Sequence, residues 1–230
     1  MRPYSVPLHS VLLVTACVVL FYVDENHARH LALRLPISVD VSTATLLSCV
    51  LVHVDAMHLW NNIVLIALFG TLFEVVHGVV AHAAVFWMGA FAGVIFEAGF
   101  NDDFRGRLLG ASGGAFALLG AYGGHLIINW KETRNARLFA LSLFVYVLFH
   151  VMHALTREED ERVTIADWSH GSGFAQGLLV GCVVVRNMRV LWWEQLVVLG
   201  GLVLSGAIFW IGCAQCSAVA RNESVPARPQ

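Results

Sequence analysis

The sequence predicts an all-α fold, a polytopic membrane helix bundle, and three observations carry that prediction. Apolar residues make up 58% of the 230 positions and charged residues only 13%, where a soluble domain carries roughly a quarter charged. The mean hydropathy is +0.71. The apolar runs also exceed the roughly 10 residues of a membrane-crossing β-strand, so they read as helices and not as strands of a barrel. Residues 1–230 therefore read as a single membrane domain, with no separate soluble one. A net charge of −2 and the absence of a dense Lys/Arg cluster argue against nucleic acid as a partner.

The elements follow in order. Leu8–Val23 is a first span; residues 1–10 lack the basic, serine-rich length of a transit peptide and no small-residue cleavage site follows, so a retained helix is expected. A polar stretch with Asp24, Glu25 and Arg29 leads to Pro36. Residues 41–73 are almost continuously apolar, roughly 50 Å as one helix against about 30 Å of hydrocarbon. The run is therefore expected to break, with 41–53 a loop lodged at the membrane surface and a second helix starting near 55–58. A third span covers 79–100, with Gly89 and Gly93 spaced for close packing, and a polar loop, 101–107, precedes a fourth, 110–130. Lys131, Arg134 and Arg137 lead into a fifth, 138–155; the charged stretch 157–162 precedes a sixth, 168–185. Arg186 and Arg189 separate that from a seventh, 196–211, and a polar tail follows. Bases fall on both sides of these spans, so the positive-inside rule does not decide the orientation. The acids gather in the loops 24–40, 101–107 and 157–167, which points to a cytoplasmic N-terminus. The triplet Asn222-Glu223-Ser224 would then lie outside.

Polar side chains inside spans are costly and mark candidate sites. They collect in three places: His53-Val54-Asp55-Ala56-Met57-His58-Leu59-Trp60-Asn61-Asn62, Gly110-Ala111-Ser112-Gly113-Gly114, and Asp167-Trp168-Ser169-His170-Gly171-Ser172-Gly173. His58 and Asn62 are four apart and share a helix face. His58, Ser112 and His170 each sit near the start of an even-numbered span, so two crossings separate each pair and all three lie on one side of the membrane. Gly173, Gly177 and Gly181 recur every four residues, and Gly110, Gly113, Gly114 and Gly120 offer a matching small-residue surface on the fourth span. Those two helices are expected to pack backbone to backbone and bring Ser112 and His170 to similar depth, as a nucleophile–base pair requires. Each feature alone has a plainer reading: packing for the glycines, an interfacial carbonyl partner for His58, a helix–helix hydrogen bond for Asn62, a loop contact for His170.

Other chemistries find less support. Cys213-x-x-Cys216 is the one suggestive pair among five scattered cysteines and reads as incidental. His150 and His153 near the end of the fifth span can join the polar site, but no ligand spacing points to a metal, and no cofactor is expected. There is no His-Glu-x-x-His and no Gly-x-Gly-Asp. A small transporter would want an ionisable residue at mid-span or repeated halves, and neither stands out.

Gly110-x-Ser112-Gly113, His170 with Gly173 and Gly177, His53-x4-His58-x3-Asn62 and Gly70-x3-Glu74 together resemble the rhomboid family of intramembrane serine proteases. The resemblance covers 45–186 and implies a rhomboid-like six-helix core, with 196–211 an additional C-terminal transmembrane helix. It implies a Ser112–His170 dyad without a third acid, and an oxyanion hole from His58, Asn62 and the Ser112 amide. His53, Gly110, Gly113, Phe116, Gly173 and Gly177 would support the site, and Glu74 would be structural. The implied partners are transmembrane protein substrates within the lipid bilayer. The six-plus-one layout is common in the secretory pathway and plasma membrane of eukaryotes. The loops 101–107 and 157–167 would form a water funnel and cap, and the fifth helix a lateral gate. Three positions depart from the family pattern. Ala44-Thr45-Leu46 stands where the first loop often carries Trp-Arg, Phe116 replaces a common tyrosine, and Ser169 replaces an alanine. A non-catalytic rhomboid-like scaffold that binds membrane clients is the alternative; such proteins usually lack the dyad.

Overall fold

The computed structural model describes residues 6–23, 31–34, 43–101, 107–156, 166–188 and 191–223. Its helices are α1 (Leu8–Val23), α2 (Thr43–Ser48), α3 (Ala56–His77), α4 (Val79–Phe100), α5 (Ser112–Asn129), α6 (Ala136–Thr156), α7 (Asp167–Val184) and α8 (Trp192–Glu223). Two short strands, β1 (Leu33–Arg34) and β2 (Arg107–Leu108), pair antiparallel. The expected loop over 41–53 is thus corrected: it contains a helical segment, α2, before the chain extends toward His53. The break itself falls where expected. Asp55 is extended, with φ −150° and ψ 170°, and its side chain accepts the His58 amide at 2.8 Å, which starts α3. A π-helical turn, Ile66–Gly70, interrupts α3, and Gly78, at φ 95°, ends it.

α3, α4 and most of α8 are long and apolar enough to cross a membrane. α5 and α7, at 18 residues each, are shorter and rich in glycine because other helices enclose them. α5 is the central helix, buried at 15 of its 18 positions, so small residues along it decide how closely its neighbours approach. Lipid chains are as apolar as the side chains, so this association draws on close van der Waals contact. A Cβ added at Gly173 would lie 2.3 Å from the Gly113 carbonyl oxygen, and one at Gly177 would lie 2.0 Å from that of Ala117. One at Gly181 would lie 2.7 Å from the Ala121 Cα. These contacts set a parallel register of 113 against 173, 117 against 177 and 121 against 181. α4 runs antiparallel to α5, with Gly93 over Gly113 and Gly89 over Ala117, and Gly93 also reaches Ser169 of α7. The surface read from sequence is corrected at two positions. Gly110 faces His58 and Gly114 faces Phe86, and Ala117 and Ala121 take their places opposite α7.

α8 starts four residues before the expected 196 and runs beyond 211. It packs on α4 and α7: Gly212 lies against Ile95 and Phe96, Gly201 against Leu179, and Gln176 Nε2 donates to Ser205 Oγ at 2.6 Å. Cys216 Sγ donates to the Ile95 carbonyl at 3.1 Å, so its role is a packing contact; Cys213 is exposed. α6 is the least enclosed helix, presenting Leu141, Phe144, Leu148 and Met152 outward. It meets the bundle through the ring pairs Phe139–Tyr122, Tyr146–Phe69 and His150–Phe116.

A polar cluster ties α1 to the α3–α4 turn. Glu74, fully buried, accepts the His9 amide at 2.7 Å, the Ser10 amide at 2.8 Å and Ser10 Oγ at 2.7 Å, capping the first turn of α1 from another helix. The Trp87 indole, which can only donate, gives its N–H to His9 Nε2 at 3.2 Å. His9 Nδ1 then donates to His82 Nδ1 at 2.6 Å when both rings are neutral. Replacing Glu74 by alanine strands three donors, and a loss of about 3 kcal/mol is expected. Thermal unfolding of the purified protein in detergent should show a fall of several degrees in Tm, with Glu74→Gln intermediate.

Candidate active site

The site is assembled at the start of α5. Gly110 adopts φ +116°, a left-handed conformation that suits glycine, and its amide donates to the Cys49 carbonyl at 2.8 Å. The turn before Ser112 is thereby pinned to the segment that follows α2. The missing side chain of Gly110 also makes room: a Cβ there would lie 2.6 Å from His58 Cε1 and 2.7 Å from Nε2. The His58 ring therefore lies directly over the backbone that leads into Ser112. One turn further along α3, Asn62 is 3% exposed, and its Nδ2 has no hydrogen-bond partner among the described residues. A buried amide donor left unpaired is costly and is the state expected of a group held ready for an incoming acceptor.

His53 sits behind His58, with the two rings edge to face at 5.1 Å between centroids. It is 2% exposed, and neither ring nitrogen has a partner among the described residues. Burial, and then the neighbouring His58, push its pKa down to about 4, so this ring is neutral at physiological pH. It props His58 by packing.

Ser112 is the first residue of α5 and is 7% exposed. Phe116 lies one turn along the same face, and its ring stacks on His170 with centroids 4.4 Å apart and planes 10° from parallel. The α5–α7 register sets residue 172 level with Ser112, which puts His170 within about 3 Å of that level along the axis. Stacking on Phe116 and the close approach at Gly113 and Gly173 therefore bring His170 to the serine's end of α5. His150 of α6 meets the edge of Phe116 at 5.1 Å between ring centroids. The His153 side chain lies outside the described residues, as do 102–106 of the expected funnel and 157–165 of the expected cap. Among the described residues no group of three or more His, Cys, Asp or Glu side chains is arranged to hold a metal ion.

Chemically, the arrangement offers a hydroxyl at a helix N-terminus, where amides lack intrahelical acceptors and the dipole favours negative charge. One imidazole, His170, is stacked on Phe116, another, His58, lies over Gly110, and Asn62 on the same helix as His58 has an unpaired amide donor. Sequence reasoning missed Glu97, a 1% exposed acid within α4 whose carboxylate accepts the Ser169 amide at 3.0 Å. The signal was a lone acid in an apolar helix.

The rhomboid domain family matches this chain over residues 41–187. The chain belongs to the rhomboid family. Similar proteins include rhomboid-related protein 1 of Caenorhabditis elegans, 27% identical over 143 residues, which are 61% of this chain and 40% of that protein. RHOMBOID-like protein 7 of Arabidopsis thaliana is 29% identical over 150 residues, 65% of this chain and 45% of that protein. Human rhomboid-related protein 3 is 30% identical over 182 residues, 71% of this chain and 43% of that protein. The chain thus spans about two fifths of the length of the curated relatives it matches. The rhomboid match takes in every element that builds the site, from His53 to His170.

Gly110→Ala tests the seating of His58. The substitution forces a side chain onto a left-handed backbone and against the imidazole, at an expected cost of about 1–3 kcal/mol. A lower Tm and an altered His58 ring environment by NMR are the expected outcomes.

Proposed function

We propose that the chain is an intramembrane serine endopeptidase. It would hydrolyse a peptide bond in or near the transmembrane segment of single-pass membrane proteins, with Ser112 as nucleophile and His170 as general base and acid. The observation that carries this reading is the His170–Phe116 stack at the serine's end of α5, together with the unpaired Asn62 Nδ2 one turn along α3 from His58.

In this mechanism Ser112 Oγ attacks the scissile carbonyl carbon while His170 takes its proton. The carbonyl oxygen becomes an oxyanion that accepts hydrogen bonds from Asn62 Nδ2, His58 and the Ser112 amide. Collapse of the tetrahedral intermediate breaks the C–N bond, and His170 passes the proton to the leaving amine. Water then attacks the acyl-enzyme, with His170 again as the base, and releases Ser112. Phe116 has no hydroxyl to offer, so its part is to hold the His170 ring by stacking. The loosely enclosed α6 is the side from which a substrate helix would enter. The helix α8 beyond the matched segment supports placement in the secretory pathway or plasma membrane.

The test is cleavage of a transmembrane substrate by purified protein in lipid. Ser112→Ala and His170→Ala should each lower the rate by on the order of 10³-fold or more. Asn62→Ala should lower kcat by about 10²-fold with little change in KM. Cleavage that persists in Ser112→Ala removes the proposed chemistry. A wild-type protein that binds membrane clients without cutting them favours the scaffold instead.

A further inference from the structure

We propose that Glu97 is a positioning residue for His170. It caps α7 from outside that helix and supplies a buried negative charge at the histidine's end of the helix. The inference rests on the protease reading above and assigns a role to a side chain outside the Ser–His pair.

α7 begins without a cap of its own, since Ala166 at its N-cap offers no side-chain acceptor. The orphan amides of its first turn need one. Glu97 provides it from α4: Oε2 accepts the Ser169 amide at 3.0 Å, and Oε1 accepts Asn101 Nδ2 at 2.7 Å. The Trp168 amide also interacts with this carboxylate. Both carboxyl oxygens thus act as acceptors. Ser169 is held from below as well, because a Cβ at Gly93 would come within 2.4 Å of its Oγ and one at Gly113 within 3.1 Å. The residue before His170 is therefore clamped between α4 and α5.

The charge has a second consequence. Taking the proton from Ser112 makes His170 a cation within the first turns of α7, where the helix dipole disfavours positive charge. An anion bonded to the amide next door offsets that penalty and keeps the imidazole basic enough to act. Other ionisable side chains at this end are Asp167 on α7 itself, Asp55 at the start of α3, His150 across Phe116, and His58 and His53 beside Gly110. Of these Asp167 and Asp55 are exposed acids, and the rest are imidazoles. Glu97 is the buried acid among them.

Glu97→Gln separates shape from charge, because glutamine still accepts the Ser169 amide while Asn101 can turn its carbonyl toward the new NH2. The full-length protein is compared as wild type, Glu97→Gln and Glu97→Ala by kcat and KM across pH on a transmembrane substrate. In parallel, the His170 ring is titrated by NMR in a Ser112→Ala background, with the signal assigned by its loss in His170→Ala. Glu97→Gln should fold, and both its acid limb and its His170 midpoint should move down by about half a pH unit. Glu97→Ala should also lower kcat about five- to tenfold with KM unchanged. Superimposable profiles and midpoints for wild type and Glu97→Gln overturn the proposal. If Glu97→Ala fails to fold, Glu97→Gln alone decides. A protein that never cuts its substrate counts against the protease reading, and the titration still reports on Glu97.

Discussion

Everything at the site depends on how closely α5 and α7 approach. Two helices with ordinary side chains at their contact sit about 8–10 Å apart. Here the Gly173, Gly177 and Gly181 edge presses on the backbone of Gly113, Ala117 and Ala121, with no room for a single carbon at any of the three glycines. At that distance a ring on one helix stacks on a ring of the other within one turn of Ser112. Packing and chemistry are thus one feature: the small residues that substitute for a hydrophobic driving force in lipid also define where His170 lies.

A second constraint concerns helix ends. Inside a membrane an uncapped first turn cannot turn to water, so its donors must find acceptors within the protein. The molecule meets this with buried carboxylates donated by other helices, Glu74 for α1 and Glu97 for α7. Each ties the start of one helix to the body of another, so the caps also act as tertiary contacts. The contrast with Asn62 is informative. The buried acids have their partners, whereas the buried amide donor of Asn62 has none among the described residues.

Much of this was legible in the sequence. Long apolar runs placed the span boundaries to within a few residues, except the end of α8, which runs to Glu223 and past the expected 211, since length and hydropathy are properties of one chain segment. The four-residue spacings of His58 with Asn62 and of the α7 glycines predicted shared faces, and the span count predicted a common side. What escaped were properties of pairs of segments. Ala117 and Ala121 are unremarkable residues until a glycine faces them. Gly110 looked like one more packing glycine, yet it serves a left-handed turn and the His58 ring. The trans caps pair residues 64 to 72 positions apart, with no local signature. The helix α2 hid in an apolar stretch where a loop and a short helix have the same composition.

The central claim is that the backbone contact between α5 and α7 activates the serine. The most direct measurement is the labelling rate of Ser112 by a serine-directed fluorophosphonate in Gly177→Val, with Gly206→Val as the control. Gly177 faces the Ala117 backbone two turns below the site, while Gly206 has nothing within 4 Å of where a Cβ would lie. The account predicts that Gly177→Val inserts in the membrane but loses labelling, and that Gly206→Val labels like the wild type. Undiminished labelling of Gly177→Val would contradict it.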